Sequence, residues 1–154
     1  MNALRTIFRW WLLLMVALVV LQIAFAGYGA FDVSDNAAAG SVDEDSLEES
    51  FGLHIGFGYL VLLGGLITFI LALAARVGRP RVLHALGIFG LLILQVILAW
   101  IGEEVPWIGA LHPINAFLIL GAVGSLAARE WRGDRMMMGR GAPETMTPPP
   151  SGTP

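Results

Sequence analysis

Four long stretches of the chain are almost continuously apolar, from about Trp10 to Ala30, Phe51 to Ala75, Val82 to Ile101 and Ile108 to Ala128, with short polar segments between them. A bilayer core takes about 20 apolar residues in helical form, because no water is present there to satisfy an unpaired peptide group. None of the four stretches contains Lys, Arg, Asp or Glu, so each predicts a transmembrane helix. The expected fold is an all-α integral membrane four-helix bundle over residues 1–132.

The polar segments set an orientation. Arginine stays preferentially on the cytoplasmic side of short loops. Arg5 and Arg9 precede the first stretch, Arg76, Arg79 and Arg81 fill the second connection, and Arg129, Arg132, Arg135 and Arg140 follow the fourth. The other two connections hold no arginine and carry Asp32, Asp35, Asp43, Glu44, Asp45, Glu48 and Glu49, then Glu103 and Glu104. Both termini are therefore expected in the cytoplasm. Trp10, Trp11 and Trp131 at the inner ends and Trp100 and Trp107 at the outer ends suit headgroup depth. Arg5, Arg9, the first apolar run and Ala24-Phe25-Ala26 together also have the pattern of a secretory signal, and cleavage after Ala26 would leave three spans. The run is long for a signal core and continues to Phe31, so an uncleaved anchor is expected.

Composition narrows the chemistry. At 56% hydrophobic and 14% charged, with a mean hydropathy of +0.74, the 154 residues do not describe a soluble domain. Nothing in them suggests nucleic-acid binding. There is no cysteine, which excludes disulfides, thiolate metal sites, iron–sulfur clusters and c-type haem attachment. All nine basic residues are arginine, which excludes Schiff-base chemistry and lysine-dependent phosphate binding. The acidic connection from Asp32 to Ser50, rich in Ala, Gly and Ser, reads as a flexible solvated loop, and Asp43-Glu44-Asp45 lacks the ligand spacing of a calcium motif. Residues 133–154, with Met136-Met137-Met138 and Pro148-Pro149-Pro150, read as a disordered cytoplasmic tail; a methionine copper site there is discounted for want of spaced ligands. No repeat of useful period stands out, although the second and fourth spans each place a histidine near their N-terminal ends.

Polar residues within lipid are costly and are often functional. Here they are Gln22, His54, Thr68, His84, Gln95, His112, Asn115 and Ser125. His54 and His112 begin helices of the same direction and so share a depth in the outer leaflet, whereas His84 begins the third helix at the opposite face. A three-histidine zinc site is excluded on that topology, and two imidazoles remain. Two neutral imidazoles at one depth suit bis-histidine haem ligation. Gly58, Val61, Gly65 and Thr68 stack on the His54 face and are mostly small enough to admit a flat macrocycle, though small residues also serve close helix packing. Pro113 predicts a kink or a late start to the fourth helix, and Asn115 could bond the freed Gly109 carbonyl or a propionate. Gln95 is expected to face the bundle interior and to bond across helices, with Gln22 a natural partner. The near absence of ionisable groups in the spans argues against ion-coupled transport.

His54 opening the second span and Leu111-His112-Pro113-Ile114-Asn115-Ala116 opening the fourth resemble the pattern of a family of small bacterial four-span membrane proteins, over about Trp10 to Arg129. The same plan resembles one four-helix half of haem A synthase. That resemblance implies haem ligands at His54 and His112. That enzyme has two such halves, and its glutamate three residues before the second-helix histidine is here Phe51, so the resemblance carries haem binding without the oxidative chemistry. The expectation is a b-type haem protein, not an enzyme, of the bacterial inner membrane. It would act in electron transfer or haem handling, with His54 and His112 as axial ligands to the haem iron, Asn115 behind them, and a membrane redox partner or a second copy of itself. The alternative is a cofactor-free structural or partner-binding membrane protein.

Overall fold

The computed structural model describes residues 3–40 and 42–139, with backbone alone for 133–139. The chain forms α1 (Ala3–Ala38), α2 (Glu44–Ala74), α3 (Arg79–Glu104), a single turn α4 (Pro106–Gly109) and α5 (Leu111–Gly139). Four helical segments are long and apolar enough to cross a membrane, α4 and α5 together supplying the fourth, so the integral membrane four-helix bundle is as expected. Around the bundle the backbones of the long helices pack side by side in the order α1, α2, α3, α5 and back to α1, so α2 and α5 stand diagonally opposite. Large apolar side chains such as Leu13, Val20, Leu60, Ile70, Ile93 and Phe117 point outward. That surface suits lipid, where no separate drive buries leucine.

The interior shows what the sequence reading missed: the two hairpins are repeats. Leu12, Met15 and Val19, preceding Gln22 on α1, are buried, as are Ala85, Ile88 and Leu92 at the same spacings before Gln95 on α3. On α2 the buried residues beyond His54 include Val61, Gly65, Thr68 and Ala72, and those on α5 beyond His112 include, at the same steps, Ile119, Val123, Leu126 and Glu130. These steps of seven, eleven, fourteen and eighteen keep one helix face. The repeat extends to local sequence, since Leu53-His54 with Leu60-Val61-Leu62 matches Leu111-His112 with Leu118-Ile119-Leu120. Such short matches within uniformly apolar helices carry little signal by themselves.

Close approach within each hairpin uses a glycine seven residues after the glutamine. A Cβ on Gly29 would come within 2.8 Å of the Ser50 carbonyl on α2, and one on Gly102 within 2.6 Å of Gly109 Cα. Pro113 produces a late helix start rather than a kink: α4 ends at Gly109, and α5 begins at Leu111 with the proline in its first turn, where the backbone donor has no intrahelical partner to lose.

The connection 32–50 departs from the expected flexible loop. α1 continues to Ala38 and α2 starts at Glu44, so only a short turn separates them. Two features hold it. Asp43 and Ser46 form a capping box at the start of α2, and the Ser50 hydroxyl donates to Asp32 at 2.6 Å while accepting from the Asn36 amide at 3.4 Å. At the other terminus α5 runs to Gly139, seven residues into the segment that composition reads as a tail. The remainder, 140–154, lies outside the described residues.

The arginine-bearing end closes on Glu130, which is fully buried. One carboxylate oxygen accepts from Arg5 Nε at 3.2 Å, and the other pairs with Arg81 Nε as an ion contact without aligned hydrogen-bond geometry. Glu130 thereby ties α1, α3 and α5 together. Beside it, the Arg9 guanidinium lies 4.5 Å from the Trp131 ring centre, and Trp10 meets the same ring edge-on.

Replacing Glu130 with Ala removes the shared partner of two partly exposed arginines and is expected to lower stability by about 1–3 kcal/mol, read as a fall in the detergent-solubilised melting temperature; a change within error removes the clamp. A second expectation concerns pH. The Ser46 amide, and then its hydroxyl, hold the Asp43 carboxyl below its ordinary value. A lowered folded-state value contributes stability above the unfolded value that is lost as pH falls through the folded one. The protection of the Ser46 amide against hydrogen exchange, relative to its intrinsic rate at each pH, should therefore fall on acidification below about pH 4, and Asp43→Ala should remove that dependence.

Candidate functional site

His54 and His112 project from the diagonal helices α2 and α5 and meet in the bundle centre, with ring centroids 6.0 Å apart and planes inclined at 66°. Each ring is held by the neighbouring helix of its own hairpin, in the same way. On one side the Gln22 carboxamide donates from Nε2 to the His54 carbonyl at 2.8 Å, and His54 Nδ1 lies 3.1 Å from the Gln22 carbonyl. On the other, Gln95 Nε2 donates to the His112 carbonyl at 3.0 Å, and His112 Nδ1 lies 3.1 Å from the Gln95 carbonyl. A carbonyl can only accept, so the contact at His112 places its proton on Nδ1 and leaves its Nε2 lone pair for a ligand. His54 Nδ1 lies 3.1 Å from the Gln22 carbonyl and equally 3.1 Å from the Gln22 amide nitrogen, so its contacts allow the same tautomer without requiring it.

That is the support a metal-bound imidazole needs, since a hydrogen bond from the far ring nitrogen sets the tautomer, the ring orientation and the basicity of the ligating nitrogen. The spacing fits as well. Two metal–imidazole bonds of about 2.0–2.1 Å each, with the two rings added, put centroids roughly 6 Å apart across one shared metal. Rotation about each bond leaves the inclination of the two planes free.

A cavity of about 190 Å³ surrounds the pair and draws on all four long helices, with Val19, Val61, Leu92 and Ile119 forming its apolar floor. It opens between α2 and α3, past Ile55, Tyr59 and Trp100, all exposed. Gly58 belongs to the site for a steric reason: a Cβ there would approach Gln22 Nε2 to 3.0 Å.

The structure brings His54, His112 and Asn115 together and leaves His84 apart, near the start of α3 and 3.4 Å from Ser125. Asn115 is buried, but the carbonyl it bonds belongs to Leu91 on α3, at 2.9 Å, and not to Gly109. Its Nδ2 also donates to Gln95 Oε1 at 2.6 Å, so Asn115 braces the glutamine that holds His112. Gln95 does bond across helices, but to His112 and Asn115, while Gln22 bonds His54; the expected Gln22–Gln95 pairing is replaced by two separate clamps. Gln22 is a site residue that the sequence reading left without that role, whereas Gly58 was already placed on the His54 face. The signal available for Gln22 was the recurrence of Leu21-Gln22 as Leu94-Gln95, each glutamine seven residues before a glycine. Thr68 lies farther along α2, accepting from Trp11 Nε1 at 2.9 Å and donating to the Gly64 carbonyl at 2.8 Å, which makes it a helix-packing residue.

Losing the Gln95 side chain frees the His112 carbonyl and an Asn115 donor in a dry interior. Gln95→Ala is therefore expected to cost about 1–3 kcal/mol in thermal unfolding, and Gln22→Ala, which also deletes a buried acceptor without a partner, less than Gln95→Ala. Equal losses would contradict the difference in bracing. No protein-family model, curated protein or solved structure matches this chain, so the arrangement of its own side chains is the evidence for what it does.

Proposed function

We propose that this protein binds a b-type haem in the cytoplasmic membrane, with both termini in the cytoplasm and His54 and His112 as axial ligands near the outer surface. The observation that carries the reading is the close pair of imidazoles, each with Nδ1 beside a backbone carbonyl of the neighbouring helix, at a separation suited to one shared metal. The apolar floor and the glycine at position 58 favour a flat macrocycle over a hydrated ion. The enclosed volume is smaller than a porphyrin, so part of the ring would occupy the opening between α2 and α3, beside Tyr59 and Trp100. No arginine lines the cavity, and its charged lining residue is Glu103. The propionates are therefore assigned to the headgroup region and not to an ion pair.

When bound, the haem supplies one-electron chemistry. The chain supplies orientation of the two imidazoles and a low-polarity surround, which together set a potential. It places no acid or nucleophile against the pair apart from Glu103 at the mouth, so electron transfer or haem handling suits the site better than catalysis. A membrane redox partner or a second copy of the chain is the partner class this implies.

The second reading is a cofactor-free structural protein. It is favoured by the same two clamps, since a Gln–His bond pair in each hairpin stiffens it with no ligand. The two readings part on a spectrum. Protein expressed with ample haem and purified in detergent should give a reduced-minus-oxidised difference spectrum of low-spin bis-imidazole type. Either His54→Ala or His112→Ala should abolish that low-spin signature. A colourless wild-type protein that is folded by circular dichroism would leave the structural reading standing.

A further inference from the structure

The two halves of the site are equal in their clamps and unequal behind them. Gln95 is gripped: its Oε1 accepts from Asn115 Nδ2 at 2.6 Å while its Nε2 holds the His112 carbonyl. Gln22 has no such brace. Its Oε1 is buried without a hydrogen-bond partner, and the residue matching Asn115 in the first repeat is Phe57, whose ring packs edge-on against Phe25 at 5.1 Å and offers no donor. The Gln22 amide nitrogen, moreover, lies 2.8 Å from the His54 carbonyl, 3.1 Å from Nδ1 and 3.5 Å from Nε2, so a small rotation offers a hydrogen bond to the nitrogen that would ligate. The glycine at 58 leaves that rotation open. The vacant space is also one-sided: beside His54 the cavity continues along Ile55 and Tyr59 toward the α2–α3 opening, whereas α5 contributes only His112, Ala116 and Ile119 to the wall.

From this asymmetry we infer that His112 is the fixed ligand and His54 the exchangeable one, so that a small neutral molecule such as a diatomic gas can take the position His54 leaves. The inference rests on the haem reading. In the exchange the bond from His54 Nε2 breaks and its lone pair accepts from the Gln22 amide, while the incoming molecule donates its own lone pair; no electron or proton changes owner. A buried acceptor without a partner, a competing donor and adjacent free volume all weaken one side, and hydrogen-bond support behind a ligating imidazole typically changes metal-site affinity about 10–100-fold.

The test uses the full chain, loaded with haem in detergent. Carbon monoxide added to the reduced wild-type protein should give a spectrally distinct adduct. His54→Ala should keep its haem near stoichiometric, in a five-coordinate high-spin form, whereas His112→Ala should retain at least tenfold less. Phe57→Asn, which places a donor where the second repeat has Asn115, should weaken carbon monoxide binding about tenfold while leaving haem content unchanged. That variant keeps both ligands and so answers the question if a histidine variant fails to fold. Equal haem loss in the two histidine variants, the reverse order, or no effect of Phe57→Asn overturns the inference and leaves haem binding intact. A wild-type protein without haem overturns both.

Discussion

A polar side chain inside lipid must find its partner within the protein, and in this bundle that constraint is met by two carboxamide–imidazole clamps. Gln22 with His54 and Gln95 with His112 each exchange a pair of hydrogen bonds across a hairpin, every bond joining the side chain of one partner to the backbone carbonyl of the other. Much else follows from this. The clamps set the depth at which each pair of helices registers, and they demand a close approach that glycine provides at positions 29 and 102. Because the histidine-bearing helices stand diagonally across the bundle, the two rings meet in its interior, with centroids 6.0 Å apart.

Repetition explains why the site is central. Two hairpins of one plan, packed side by side in the same sense, bring equivalent positions together about an axis through the bundle, as parallel repeats do in larger membrane proteins. Departures from the repeat are then informative. Where α2 carries Ala72, α5 carries Glu130, and that one exchange provides the buried ion cluster with Arg5 and Arg81 that closes the arginine-bearing end. Where α5 carries Asn115, α2 carries Phe57, and that exchange makes one imidazole better supported than the other.

Much of the architecture is legible from hydropathy because lipid is a simple solvent: an uncharged apolar stretch of sufficient length has one low-energy form in it. The same logic placed His54 and His112 at one depth and His84 elsewhere. It worked less well where water resumes. The acidic segment 32–50 lacks an apolar period, so it reads as loop, yet a capping box at Asp43 and Ser46 and the Ser50–Asp32 bond carry both helices past the lipid boundary. The capping residues were visible; the bond between helices was not.

The sequence by itself determined how many times the chain can cross a membrane, which ends share a side, and which polar residues lie at common depth, because each of these depends only on distance along a helix. Only the tertiary structure decided which polar groups meet. Depth says nothing of azimuth, and in helices apolar on nearly every face no periodicity reveals which way a glutamine points. Pairing each glutamine with the histidine of its own hairpin, seating Asn115 behind Gln95 and burying Glu130 between two arginines are consequences of how four cylinders rotate about their axes to pair polar groups in a medium that offers no partners.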